Sequence, residues 1–142
     1  MKLLDVNLLI YAVNESSPPH TKAKAWLEKI LSGTETVALP WIVLLAFLRL
    51  TTRAAVFPQP LTPEQSCEIV ARWLAQPCVA IIHASEEHFR IFRDLLLSAG
   101  TAGNLTTDAH LAALAIEHGT ELCSCDADFA RFRGLKWTNP LA

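Results

Sequence analysis

Met1-Lys2-Leu3-Leu4-Asp5-Val6-Asn7-Leu8-Leu9-Ile10-Tyr11 decides how this chain is read. An apolar run begins almost at the first residue, stops at a carboxylate and resumes at once. Continuous apolar residues without alternation predict a strand buried on both faces. Open α/β sheets bind their ligands beyond the carboxyl ends of such strands. An unpaired charge at a buried strand end is costly, so Asp5 needs a role. It is the first candidate ligand of a metal site.

Outward from that strand, helices and strands alternate. Ser17-Pro18-Pro19 predicts a helix start, with Ser17 as the N-cap and Pro18 in the first turn. Ala23, Trp26, Leu27, Ile30 and Leu31 recur on one helical face until Gly33. Thr36–Leu39 reads as a short buried strand. The helix from Trp41 to about Thr52 is apolar almost all round, which predicts that it is largely buried, with Arg49 as its only charge. Residues 53–61 form a loop. Thr62-Pro63-Glu64-Gln65 matches a capping box, and Ile69, Val70, Trp73 and Leu74 form the buried side of the helix behind it. Cys78–Ile82 reads as another buried strand. Ser85 is expected to cap a helix with Glu86 and Glu87 in its first turn and Phe89, Phe92 and Leu96 facing inward. Gly100–Gly103 is a flexible loop. Asp108 opens a helix that stops at Gly119, Leu122–Cys125 is a short strand, and Lys136–Thr138 is an edge strand. This alternation predicts one domain, 1–142, with a parallel sheet between two helical layers.

Composition narrows the class. The chain is 51% hydrophobic with a net charge of −2, so no global field attracts a polyanion, and any such partner needs a local basic rim. No signal peptide and no apolar stretch of membrane-spanning length is visible, which predicts a cytoplasmic protein without a membrane partner. Cys67, Cys78, Cys123 and Cys125 lack zinc-ligand spacing and read as buried free thiols.

Parallel topology lets position in the sequence predict position in space. Asp5 ends the first strand. Asp126 ends the strand before the C-terminal turn, and Asp128 follows two residues later. Asp108 sits in the first turn of the helix leading back into that strand. All four are expected on one sheet edge. A hard divalent cation such as Mg²⁺ takes oxygen ligands from a few carboxylates, and such an ion serves phosphoryl chemistry. Each acid also has an ordinary explanation: Asp108 as partner of a helix dipole, Asp126 and Asp128 as turn residues. Their convergence favours the metal site. Asn7, Asn104, Thr107 and Ser124 lie beside the acids in sequence and are candidates to orient ligands or water. Arg49, Arg53, Lys22 and Lys24 are candidate cations for a phosphate backbone, Arg49 foremost because it interrupts an apolar helix. His110 and His118 have no metal-ligand spacing and read as structural.

At this point the residues carry a resemblance. LLDVNLLIYA, PWIVLLAFLRLTT with the following VFPQPL, TTDAHLAALAIEHG and CDADFARFRGLKWTNPL resemble, in that order, a PIN-domain ribonuclease of the VapC type, the toxin of a bacterial VapBC toxin–antitoxin pair. The resemblance implies a three-layer α/β/α sandwich, RNA cleavage dependent on Mg²⁺ or Mn²⁺, a homodimer, and inhibition by a cognate antitoxin. It places the metal on Asp5, Asp108 and Asp126, with Asp128 as a further catalytic acid. The family's second acid, usually Glu, falls on Ala46, and no Asp or Glu replaces it between Val37 and Pro63. Two expectations follow: an active nuclease with a one-metal site, or a catalytically silent module that binds RNA or antitoxin. A phosphoryl-transfer receiver is disfavoured, because the first strand ends in D-V-N without paired acids.

Overall fold

The computed structural model describes residues 1–142. The elements in chain order are β1 (Lys2–Leu4), α1 (Val6–Val13), α2 (His20–Leu31), β2 (Val37–Ala38), α3 (Trp41–Thr51), α4 (Pro63–Leu74), β3 (Val79–Ala80), α5 (His88–Ala99), α6 (Thr106–Glu117), β4 (Glu121–Cys123) and β5 (Trp137–Thr138). Two 3-10 turns, Gly103–Leu105 and Ala127–Arg131, precede α6 and follow β4.

The five strands form one parallel sheet in the order β3-β2-β1-β4-β5. The chain winds from β1 through β2 to β3, then returns across the sheet to β4. Right-handed crossovers therefore put α1–α4 on one face and α5–α6 on the other. The helix contacts agree: α1 packs on α2 and α3, α3 packs on α4, and α5 packs on α6. The architecture is the expected α/β/α sandwich. The winding reverses between β1 and β4, and the crevice beyond their carboxyl ends is the place where such sheets bind ligands.

The core lies where the two helical layers meet the central strands. Leu3, Leu4, Leu39, Leu44, Phe47, Leu114, Leu122 and Phe129 are fully buried. Phe47 and Trp73 meet edge-to-face at 4.7 Å and fasten α3 to α4. The capping box at Thr62 is formed in both directions, with Thr62 Oγ1 accepting from Gln65 N and Gln65 Oε1 accepting from Thr62 N. Gly100 and Gly119 end α5 and α6 with φ of +73° and +61°, a backbone that favours glycine.

Several expectations are corrected. The first strand runs up to Asp5 as expected, and the apolar run after it, unassigned from the sequence, is a helix with Leu8, Leu9 and Ala12 as its buried face. Ser17 does not cap α2. The N-cap is Pro19, without a side-chain hydrogen bond, and Ser17 Oγ is buried with no partner. Helix α3 is buried only along Val43, Leu44, Phe47 and Thr51, while Trp41 is 46% and Leu45 58% exposed. Strand β3 is only partly buried because it is a sheet edge. Helix α5 begins at His88, so Glu86 and Glu87 precede it. Ser85 Oγ accepts from Glu87 N in that entry turn, and Phe89 points outward at 70% exposure. Strand β4 stops at Cys123 rather than Cys125. The four cysteines are free, but Cys67 is exposed and only Cys123 is fully buried. No helix is long and apolar enough to cross a membrane.

Candidate metal centre

The site begins with how Asp5 is held. Its backbone is still extended (φ −80°, ψ 156°) and its N–H donates to Cys123 O across the sheet, so the chain leaves β1 in register with β4. Asp5 is also the N-cap of α1. Its Oδ1 accepts from Val6 N at 2.8 Å, and the positive end of the helix dipole favours the ionised carboxylate. Its Oδ2 accepts from Ser124 Oγ at 2.6 Å. Burial raises the Asp5 carboxyl above the usual range. The Ser124 and Val6 hydrogen bonds offset this in part, and the charge of Asp126 adds to it.

Ser124 joins the two strand ends. The residue is completely buried. While donating to Asp5, its Oγ accepts from Asn7 Nδ2 at 3.2 Å and from Asp126 N at 3.0 Å. Its own backbone is fixed from β5: Ser124 N donates to Thr138 O, and Trp137 Nε1 donates to Ser124 O. Asn7 Oδ1 accepts from Cys125 N, so Asn7 ties α1 to the segment after β4.

Asp126 then caps the 3-10 turn, its Oδ1 accepting from Asp128 N at 2.9 Å. Phe129 and Phe132 anchor that turn in the core. Asp108 comes from the other direction, in the first turn of α6. One carboxylate oxygen from each of Asp108, Asp126 and Asp128 lies within 4.8 Å of the others. Asp5 stands outside this trio and is linked to it through Ser124. Its charge still reaches Asp108: burial first, then the charges of Asp5, Asp126 and Asp128, push the Asp108 carboxyl up to about 6.

No cation compensates the cluster. The ion pairs of the molecule engage Glu35, Glu68, Glu87, Asp94, Glu117 and Glu121, and none engages these four aspartates. Carboxylates packed without counter-charge are what a divalent cation relieves. The donor set contains only oxygen and so suits a hard ion. The nearby Cys125 thiol is pushed up by burial and by Asp5, which disfavours a thiolate ligand.

The remaining candidates are placed as follows. Asn7 and Ser124 lie inside the network. Asn104 and Thr107 are exposed at the start of α6 and make no side-chain hydrogen bond. Arg49 is exposed in the last turn of α3, beside Leu48, Thr52, Pro63 and Cys67, and pairs with none of the acids. Lys24 lines a separate cleft of about 330 Å³ between α1, α2 and α4 that contains none of the four aspartates. Ala46 is half-buried in the second turn of α3. His110 belongs to a chain of contacts invisible to spacing within one helix. Its Nδ1 lies 2.8 Å from His88 Nε2, and His88 Nδ1 lies 3.1 Å from Glu117 Oε2, which fastens α5 to α6. His118 Nε2 donates to His83 O.

Comparison with known proteins places the chain in a family and agrees with its fold. The PIN domain family matches residues 2–135. Ribonuclease VapC37 of Mycobacterium tuberculosis is 44% identical over 142 residues, covering 100% of this chain and 99% of its own. Ribonuclease VapC33 of the same species is 43% identical over 141 residues, covering 99% of each chain. Among solved structures, VapBC2 from Rickettsia felis bound to a DNA fragment from their promoter superposes with a TM-score of 0.70 at 23% identity, covering 97% of each chain.

Proposed function

The chain belongs to the PIN-domain family, and from that premise we propose that it is a Mg²⁺- or Mn²⁺-dependent endoribonuclease of the VapC kind, the growth-inhibiting toxin of a toxin–antitoxin pair. The observation that carries the reading is the uncompensated convergence of Asp108, Asp126 and Asp128 beyond the ends of β1 and β4, with Asp5 linked to it. The likeness to relatives named as VapC ribonucleases over their whole length supports RNA as the substrate.

Asp108, Asp126 and Asp128 would hold the ion, and Asp5 would complete the negative field from beneath. When bound, a divalent ion supplies charge for a phosphoryl oxygen and acidifies a water. The protein's own part is orientation. Ser124 and Val6 N fix both Asp5 oxygens, and Asp128 N fixes one oxygen of Asp126, so these carboxylates are ordered before substrate arrives. Asp108 holds its proton more tightly than an ordinary carboxyl, and a bound cation would favour its ionised form. The partners that fit this reading are an antitoxin covering the acidic edge and a second copy of the chain. The second copy is supported by the exposed apolar face Trp41, Ile42 and Leu45 of α3.

Asp5→Asn tests the reading. It is expected to abolish both metal-dependent RNA cleavage and growth arrest on induction. Cleavage at the wild-type rate rejects the assignment. Ala46 favours a second reading, a silent module that binds RNA or antitoxin without cutting. A thermal shift with Mg²⁺ or Mn²⁺ separates the two: the nuclease is stabilised by the ion and the silent module is not.

A further inference from the structure

A nuclease whose site is a cluster of acids repels the polyanion it cuts, and the chain's net charge of −2 gives no help from a distance. A side-chain cation beside the acids would add to the charge a bound metal ion supplies. The twelve Lys and Arg residues can be followed one by one. Lys2, Arg72, Arg90 and Lys136 are paired with carboxylates. Lys22 donates to Leu141 O. Lys24 and Lys29 line clefts that contain none of the four aspartates. Arg49 ends α3, Arg53 follows it and Arg93 lies on α5, segments that carry none of the four aspartates, whereas Arg131 and Arg133 follow Asp126 and Asp128 in one segment. Arg131 and Arg133 remain.

Arg131 closes the 3-10 turn that Asp126 opens. Side chains three residues apart eclipse in a 3-10 helix. Phe129 and Phe132 are buried, which turns the opposite side of the segment to solvent. Asp128 and Arg131, also three apart, are both exposed. Arg131 therefore leaves the turn on the side of Asp128. It follows Asp128 by three residues in the same turn and makes no ion pair and no hydrogen bond. Arg133 lies beyond the buried Phe132, outside the turn.

Resting on the nuclease reading above, we propose that Arg131 is the substrate-binding cation of the site. Its guanidinium takes a phosphate of single-stranded RNA next to the one held at the acids. A planar fork with several donors suits a phosphate oxygen pair and counters the repulsion the cluster exerts. The sequence carries the signal as D-F-A-R, an arginine three residues after the last acid.

The test separates binding from cleavage. A short, fluorescein-labelled, mixed-sequence single-stranded RNA is titrated with protein in EDTA, with anisotropy read at several salt concentrations. Arg131→Ala is expected to weaken binding several-fold and to lower the slope of log affinity against log salt by about 0.7, the value of one phosphate contact on a single strand. Arg131→Lys is expected to recover the slope. Lys24→Ala removes the same charge from the α1–α2–α4 cleft and is expected to leave the slope as it is. Unchanged affinity and slope in Arg131→Ala overturn the proposal, and an equal loss in Lys24→Ala assigns the effect to net charge and also overturns it. If the wild type cleaves RNA with metal while Arg131→Ala binds normally, Arg131 alone is rejected. A wild type that neither binds nor cleaves RNA rejects the nuclease reading as well.

Discussion

Ser124 Oγ donates to Asp5 Oδ2 at 2.6 Å, and this bond spans the point at which the sheet reverses its winding. Asp5 follows β1 and Ser124 follows β4, so one hydroxyl fixes the relative position of the two strand ends that carry acids. The same oxygen accepts from Asp126 N. A shift at either strand end would disturb both carboxylates together.

Ser124→Ala removes a bond to a carboxylate and leaves the partly buried donors Asn7 Nδ2 and Asp126 N without the fully buried hydroxyl that accepts from them. The expected cost is about 2–3 kcal/mol in urea unfolding at neutral pH. Combined with Asp5→Asn, the two changes should not add, because they remove one interaction, and a coupling of about 1 kcal/mol or more is expected. Additive costs would show that the two side chains do not stabilise each other.

Asp108 sets a pH dependence whose sign is fixed. Burial and three neighbouring acids push its carboxyl from 3.8 up to about 6, so the folded state holds the proton more tightly than the unfolded chain. The stability this contributes is fully present below pH 3.8 and is lost as pH rises through about 6. Asp108→Asn should therefore stabilise the metal-free protein above that window. The gain is on the order of 1 kcal/mol once solvent screening of this half-exposed group is discounted. Added Mg²⁺ or Mn²⁺ should reverse the order, stabilising the wild type more than the variant. Denaturant midpoints across pH, with EDTA and then with the ion, check both halves.

The frame of this arrangement was legible because it depends on local chemistry. Alternating apolar runs gave the parallel sheet, Thr62 and Gln65 gave a cap, and topology alone brought Asp5, Asp108, Asp126 and Asp128 to one edge. What was not legible depends on neighbours distant in sequence. Leu8 to Tyr11 fits a strand or a helix, and packing against α2 and α3 decides. Phe89 and Leu45 look like core residues in a one-dimensional pattern, but the face they lie on has nothing packed over it. His110 finds its partner on α5, twenty-two residues earlier, where no spacing rule would search. Ser124 was visible as a neighbour of the acids, but its position as the junction of Asp5, Asn7 and Asp126 follows only from the pairing of β1 with β4.

Leu45→Asp addresses the exposed side of α3. Trp41, Ile42 and Leu45 fall on one helical face and are exposed in the single chain. If a second copy covers them, the wild type should sediment as a dimer at micromolar concentration and the variant as a monomer with an unchanged far-ultraviolet spectrum. A charge placed in an apolar interface leaves an unpaired, desolvated group. A variant that remains dimeric would place the contact on another face.

Ala46→Glu asks whether the site lacks a ligand. Helix α3 begins directly after β2, so its first turns rise from the same sheet edge as the acids, and Ala46 lies in the second of them. A carboxylate there would add negative charge to a cluster that already has no counter-cation. Without metal the expected effect is a small loss of stability, measured as a lower melting temperature in EDTA, because another acid joins mutually repelling ones. With Mg²⁺ or Mn²⁺ the sign should change: the variant should gain more from the ion than the wild type does, since each added oxygen ligand tightens the site. Cleavage of RNA should rise with it. A variant that loses stability equally with and without the ion would show that position 46 does not face the metal. The three converging aspartates with Asp5 would then be the whole of the site.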